Sequence, residues 1–199
     1  VYNARPRLLI GSLDASKVRD GVPRGRHGAW QRRILPMVFG EPAFDIELVP
    51  TDICPARPHI WTFIAWKRMH TAALDSGLDS RLLRIHSGYR SVAFQKEIFE
   101  YRLDERRTER RRKGLPALEE PALRKLQQRW TAAPGRSAHH TGFAIDLGLY
   151  ALGIRRGRKT AEWAWLMQYA REFHFYPYLE EPWHWEFNPP GLADQLRLL

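Results

Sequence analysis

Two histidines and an aspartate hold the most chemistry in this chain. In Ser137-Ala138-His139-His140-Thr141-Gly142-Phe143-Ala144-Ile145-Asp146, the residues His139 and Asp146 stand seven apart, with Gly142 between them. A second cluster, Glu181-Pro182-Trp183-His184-Trp185, adds His184 and a carboxylate three residues before it. Zinc in a hydrolytic site takes three ligands from His, Asp or Glu and keeps one position for water. His139, Asp146 and His184 would supply two neutral imidazoles and one carboxylate, leaving a net positive centre that can acidify a bound water. Gly142 would permit the close turn that brings His139 and Asp146 to one point. Any single histidine of the eight present is more often an ordinary core or surface residue, so the weight falls on the combination.

A hydrolytic zinc also needs a general base, and Glu181 is placed to reach the open side of the metal without binding it. Pro182, Trp183 and Trp185 would stiffen the segment and exclude water, which raises a carboxylate's pKa. Read alone, Glu181 is a turn carboxylate beside Glu180. Arg90 lies in Ser87-Gly88-Tyr89-Arg90-Ser91, where a guanidinium at a strand-to-helix turn could capture a carboxylate or steady an oxyanion. In an arginine-rich chain that residue is not diagnostic by itself.

Several elements must position these groups. Apolar residues Ile60, Trp61, Ile64, Ala65, Met69 and Ala72 recur at helical spacing, and Gly77 ends the run. Residues 82–86 read as a strand, and Ser91 reads as the N-cap of a helix continuing through the arginine-rich 102–113 to Gly114 and Pro116. Residues 121–130 form a second helical stretch with Leu123, Leu126 and Trp130 on one side. Residues 143–149 read as a strand and 154–159 as a basic loop. Thr160 caps a helix over 161–173 that buries Trp163, Leu166, Met167 and Ala170. Residues 175–179 and 183–187 read as paired strands. The mixture predicts an α+β fold with a small antiparallel sheet.

Residues 1–57 carry no chemical motif, although Leu8-Leu9-Ile10 and residues 44–49 have strand character; they read as an extension packed on a core spanning 58–199. The apolar fraction of 44% with eight Trp and nine Phe suffices for a core without disulfides. The single Cys54 excludes an internal disulfide and a multi-cysteine zinc finger. A net charge of +10 suits nucleic acid, an anionic membrane or an acidic cell wall, or marks only a solvated basic helix at 102–113. No nucleic-acid motif accompanies that run, which makes a nucleic-acid partner unlikely. No apolar run of about 18 residues could span a membrane. The start at Val1, with no signal-peptide h-region, fits a mature or trimmed product.

Together, Ser137-x-His139-x-x-Gly142-x-Ala144-x-Asp146, Ser87-Gly88-Tyr89-Arg90-Ser91 with Gln95, and Glu181-Pro182-Trp183-His184-Trp185 resemble the three signatures of the D-alanyl-D-alanine carboxypeptidase/dipeptidase family of zinc peptidases. The resemblance covers roughly residues 58–188. It implies a Hedgehog/D,D-peptidase-like fold with Zn2+ on the sheet, held by His139, Asp146 and His184. It further implies Glu181 as catalytic base, Arg90 as the group holding substrate or intermediate, and Gln95 and Ser137 lining the substrate site. The implied substrates are peptidoglycan stem peptides and the implied location is periplasmic or secreted. A D,D-carboxypeptidase is the leading expectation; an L-alanyl-D-glutamate-type endopeptidase and a non-catalytic wall-binding module are the alternatives. Departures are Phe173-His174-Phe175 where the family usually has Phe-Gly-Phe, Glu186 where a basic residue is common, and a basic helical insertion at about 102–130.

Overall fold

The computed structural model describes residues 46–192. The chain enters along Val49, whose N–H donates to Pro58 O, and Leu48 forms an isolated antiparallel bridge with His59. The expected strand at Leu8-Leu9-Ile10, and the start of that at 44–49, lie outside the described residues. Helix α1 (Ile60–Asp75) follows, then a helical turn α2 (Ser80–Leu83), strand β1 (Ile85–Ser87) and helices α3 (Val92–Arg112) and α4 (Glu120–Gln127). A 3-10 turn (Ala138–Thr141) leads into β2 (Ala144–Leu147). A second 3-10 turn (Gly148–Leu152), α5 (Gly153–Gly157), α6 (Ala161–Tyr169), a third 3-10 turn (Ala170–Phe173), β3 (Phe175–Pro177) and β4 (His184–Phe187) complete the order.

The strands form a four-stranded antiparallel sheet in the order β1-β2-β4-β3, so the expected α+β class holds. Alternation along the strands sends Ile145 and Leu147 of β2 and Trp185 and Phe187 of β4 into one core. Ala65, Met69 and Ala73 of α1, with Leu166 of α6 and Ala170 directly after it, cover that face. The residues between, Asp146, His184 and Glu186, are thereby turned to the opposite face. A smaller core of Phe99, Leu103 and Leu123 joins α3 to α4.

Both expected serine/threonine caps form: Ser91 Oγ accepts from Phe94 N at 3.1 Å and Thr160 Oγ1 from Trp163 N at 3.1 Å. The strand expected at 82–86 is instead helical through Leu83, because Asp79 caps the turn by accepting from Arg81 N at 2.8 Å. The expected strand at 143–149 is confined to β2, and the basic loop expected at 154–159 contains α5. On α1, Ile64 faces solvent while Thr62 is buried, and Trp130 lies beyond α4 and is exposed. Periodicity alone over-weighted large apolar residues in these helices. The helix expected to end at Phe173 is α-helical only to Tyr169 and 3-10 thereafter.

His174 terminates that segment in the left-handed region at φ 64°, ψ 24°. A Cβ is disfavoured there, which explains the glycine usual at this place in the family the sequence resembles. His174→Gly is expected to raise thermal stability, by about 1 kcal/mol, in calorimetric unfolding; no gain would mean that its contact with Phe187 (ring centroids 6.4 Å apart) offsets the strain.

His59 caps α1 by accepting from Trp61 N at 3.2 Å, and burial lowers its pKa from 6.5 to about 4. A histidine kept neutral in the fold contributes stability above its unfolded pKa, and loses it as pH falls from 6.5 through 4. In His59→Asn, which keeps a capping acceptor, the fall in unfolding free energy between pH 7 and pH 4 should be smaller by about 3 kcal/mol. Parallel falls measured by denaturant titration would refute this.

Candidate metal centre

The site is built on strands β2 and β4. Asp146 pairs directly across the sheet with His184, and on its other side with Ser87 of β1. His139 arrives from the 3-10 turn, whose Ser137 Oγ accepts from His139 N at 3.3 Å. The turn closes at Gly142 with φ 73°, where a Cβ would stand 2.9 Å from His59 N. Left-handed backbone and close approach therefore both require glycine at this turn.

One donor atom each from His139, Asp146 and His184 lies within 4.8 Å of the others, and all three residues are buried. His139 Nε2 is 3.3 Å from Asp146 Oδ2, and His184 Nδ1 is 3.1 Å from Asp146 Oδ1. Ligands of a tetrahedral ion bonded at about 2.0–2.1 Å stand about 3.3 Å apart, so the set fits such an ion. The outward nitrogens are occupied. His139 Nδ1 hydrogen-bonds Gly88 O at 2.6 Å, and His184 Nε2 lies 3.3 Å from Glu186 Oε1. Each contact selects the tautomer that leaves the inward nitrogen able to bind a metal. His140 is different: Nδ1 bonds Arg90 O at 2.7 Å and Nε2 accepts from Gly135 N at 3.1 Å. Both of its ring nitrogens serve the backbone.

The charges are mutually dependent. Burial opposes ionisation of Asp146, yet charge and hydrogen bonds from His139 and hydrogen bonds from His184 hold its carboxyl far below the usual range. Burial lowers the pKa of His139. It also disfavours charge on His184, but hydrogen bonds to Asp146 and Glu186 outweigh it and raise the pKa to about 10. A metal entering at Nδ1 competes with that proton, so metal binding weakens as pH falls.

Arg90 approaches from the β1–α3 turn. Its Nη2 is 3.5 Å from Asp146 Oδ2 and donates to Ser87 Oγ at 3.2 Å, while Nη1 donates to Gln95 Oε1 at 2.9 Å. Gln95 is fully buried and donates its amide to Ala132 O at 2.7 Å, so both ends of its carboxamide are engaged and it acts as a brace for Arg90. Glu181 lies in the β3–β4 connection, fixed by Glu181 N to Tyr178 O and His184 N to Glu181 O, both 3.0 Å. Burial pushes its pKa up, and the neighbouring His184 pulls the other way. Arg90, Gln95, Ser137, His139, Asp146, Glu181 and His184 all border one cleft of about 1110 Å³.

The sequence reading had no structural role for Glu186, noting it only as a departure. It is buried at 5% exposure against a candidate ligand. Its place two residues after His184 on a strand, and hence on the same face, was the available signal. Ser87, stationed opposite Asp146 and bonded to Arg90, was likewise visible only as part of a motif.

A buried acid–imidazole cluster facing a cleft from an antiparallel sheet is a candidate divalent-metal centre. The family model for VanY, D-alanyl-D-alanine carboxypeptidase, matches residues 60–190. The chain belongs to that family, as its three motifs suggested, and is by family a carboxypeptidase. Among solved structures it is similar to a mutant of the vancomycin-resistance D,D-pentapeptidase VanY from a VanB-type cassette in complex with Zn(II). That match has 23% identity, covers 80% of this chain and 89% of the other, and has a TM-score of 0.57. It is also similar to VanYB in complex with D-alanine-D-alanine, at 22% identity, 77% and 83% coverage and TM-score 0.57. The LdcB LD-carboxypeptidase matches at 23% identity, 80% and 75% coverage and TM-score 0.52. At these identities the likeness shows a shared fold. Comparison with curated proteins gives no match.

Removing the carboxylate behind His184 should loosen the site while leaving the ligands in place. Glu186→Ala is expected to weaken divalent-metal binding tenfold to hundredfold, or about that, in competition with a chromophoric chelator, with Glu186→Gln less affected. An unchanged Kd in both variants would show that the contact at Nε2 does not tune the ligand.

Proposed function

We propose that the protein is a zinc-dependent D,D-carboxypeptidase that removes the terminal D-alanine from peptidoglycan stem peptides. The observation that carries the reading is the convergence of His139, Asp146 and His184 beside Glu181 and Arg90 in one cleft, within a chain of the VanY family. His139 Nε2, one oxygen of Asp146 and His184 Nδ1 would hold the ion. A zinc there supplies a Lewis-acid charge that lowers the pKa of water and polarises a carbonyl oxygen.

The remaining steps belong to side chains. Glu181 accepts the proton of the attacking water as its oxygen bonds to the scissile carbonyl carbon, and returns that proton to the departing amine as the C–N bond breaks. Its partial burial keeps its proton affinity high enough for the return. Arg90, locked by Gln95 and Ser87, presents a fixed positive charge to the oxygen on which negative charge develops or to the substrate's terminal carboxylate. Its pre-set position means that no reorganisation is needed during the reaction. Ser137, whose Oγ accepts from the His139 N–H, keeps its hydroxyl proton for the substrate.

The VanYB structure with D-alanine-D-alanine supports a substrate ending in that dipeptide. A substrate in the cell wall places the working protein in the periplasm or outside the cell. No helix among the described residues is long and apolar enough to cross a membrane.

Zinc-loaded protein should convert a pentapeptide stem to a tetrapeptide plus one alanine, read by product mass, and chelation should abolish the conversion. Glu181→Ala should lower kcat by about two to four orders of magnitude while zinc content stays stoichiometric. Cleavage between the first and second stem residues would instead establish the endopeptidase, and full activity in the variant would remove Glu181 as base.

A further inference from the structure

The cleft extends past the metal-facing residues onto the α3–α4 hairpin, and that wall has a composition of its own. That wall is the α3–α4 hairpin, which the metal chemistry does not use. Among the described residues, the aromatic side chains left largely exposed are Phe94 (53%), Tyr101 (62%), Trp130 (52%) and Tyr150 (42%), and all of them border this cleft. Phe94 and Tyr101 stand seven residues apart and so share one face of α3, while Phe99 and Leu103 on the opposite side bury against Leu123 of α4.

The rings are braced. The Arg106 guanidinium lies 4.2 Å from the centre of the Trp130 ring, and is itself held by Glu109 at 3.1 Å and Gln127 at 3.4 Å. Tyr150, in the 3-10 turn after β2 rather than on the hairpin, stacks on His86 with centroids 4.8 Å apart and planes at 17°. Arg124 Nη2 donates to both carboxylate oxygens of Glu100, at 2.8 and 3.0 Å, and ties α4 to α3. These contacts fix the Trp130 and Tyr150 rings and tie together the hairpin that carries Phe94 and Tyr101.

We infer that this wall is a carbohydrate-binding surface, which seats the glycan of the strand to which the stem peptide is attached. The inference rests on the peptidoglycan-peptidase reading above. A flat aromatic ring covers the C–H face of a pyranose at little entropic cost, while neighbouring donors and acceptors take its hydroxyl and acetamido groups. The wall supplies both kinds: Arg102 and Glu105, paired at 2.6 Å, border the cleft beside Tyr101. Phosphate-rich polymers fit less well, because Glu105 and Glu109 pair with Arg102 and Arg106 along the same cleft and Glu97 adds a further acid to it. A peptide chain offering mainly alanine methyl groups would leave the three large rings of this wall, Phe94, Tyr101 and Trp130, without a matching apolar surface.

The test compares two substrates of the zinc-loaded protein: a free pentapeptide and the same pentapeptide on its GlcNAc–MurNAc disaccharide. Trp130→Ala and Tyr101→Ala should each lower kcat/KM on the glycan-linked substrate by about five- to tenfold through KM, with the free peptide changed less than about twofold. Binding of chitotetraose to the intact protein, followed by chemical shifts of the tryptophan indole N–H groups, gives a readout without turnover. It should weaken in both variants. Equal losses on both substrates would assign the wall to peptide and overturn the inference, as would absence of chitotetraose binding with unchanged kinetics. If neither substrate is cleaved, the functional reading falls while chitotetraose binding still decides this one.

Discussion

The pairing of β2 with β4 is the constraint on which the site depends. Because Asp146 and His184 are direct cross-strand partners, hydrogen bonds of the sheet backbone set their separation. A slip of one residue by either strand would turn that strand's own ligand into the hydrophobic core and send its apolar neighbour, Ile145 or Trp185, to the polar face. The large apolar residues therefore police the register of the polar ones. Trp185 and Phe187 on β4, with Ile145 and Leu147 on β2, make the wrong register costly. Ser87 extends the row across a third strand, and through Arg90 it ties the substrate side of the cleft to the same frame.

Around that pair the structure settles a problem of buried charge. Several ionisable groups lie close together at low exposure, which is stable only where each has a partner. Backbone carbonyls do much of this work. Gly88 O and Arg90 O accept from His139 and His140, and Arg90 N donates back to His139 O at 3.0 Å. The β1–α3 turn and the 3-10 turn are thus zipped together, and the zipper positions one histidine as a ligand and the other as a clamp. Glu186 completes the arrangement from the sheet side.

The basic stretch that dominates the composition has a quieter role than its charge suggests. Arg102, Arg106 and Lys113 pair with acids on α3 itself, and Arg107 pairs with Asp104 and with Glu120 of α4. Such exposed pairs each contribute little, but together they offset part of the helix's charge and lace the hairpin. The solvated-helix reading describes this stretch better than a bare polyanion patch. It also frees the hairpin's inner face to be aromatic.

The motifs were legible because hydrolytic metal chemistry permits few residue types: His139, Asp146, His184, Glu181 and Arg90 were all named from spacing and type. The helix caps at Ser91 and Thr160 were legible because they are local. The roles of Gln95 and Glu186 were not, since a carboxamide behind an arginine and a carboxylate behind an imidazole depend on where other segments pass. Nor was the short reach of the strand near Ile85, where Asp79 captured the chain for a helical turn. By itself the sequence determined the chemical inventory, the caps and the alternation that divides apolar from polar faces, because each follows from residue type and near-neighbour geometry. Only the tertiary structure decided which histidine nitrogen faces inward, what stands behind it, and that the exposed aromatic rings gather at one cleft. Those are distances between residues tens of positions apart, fixed by packing of the whole core.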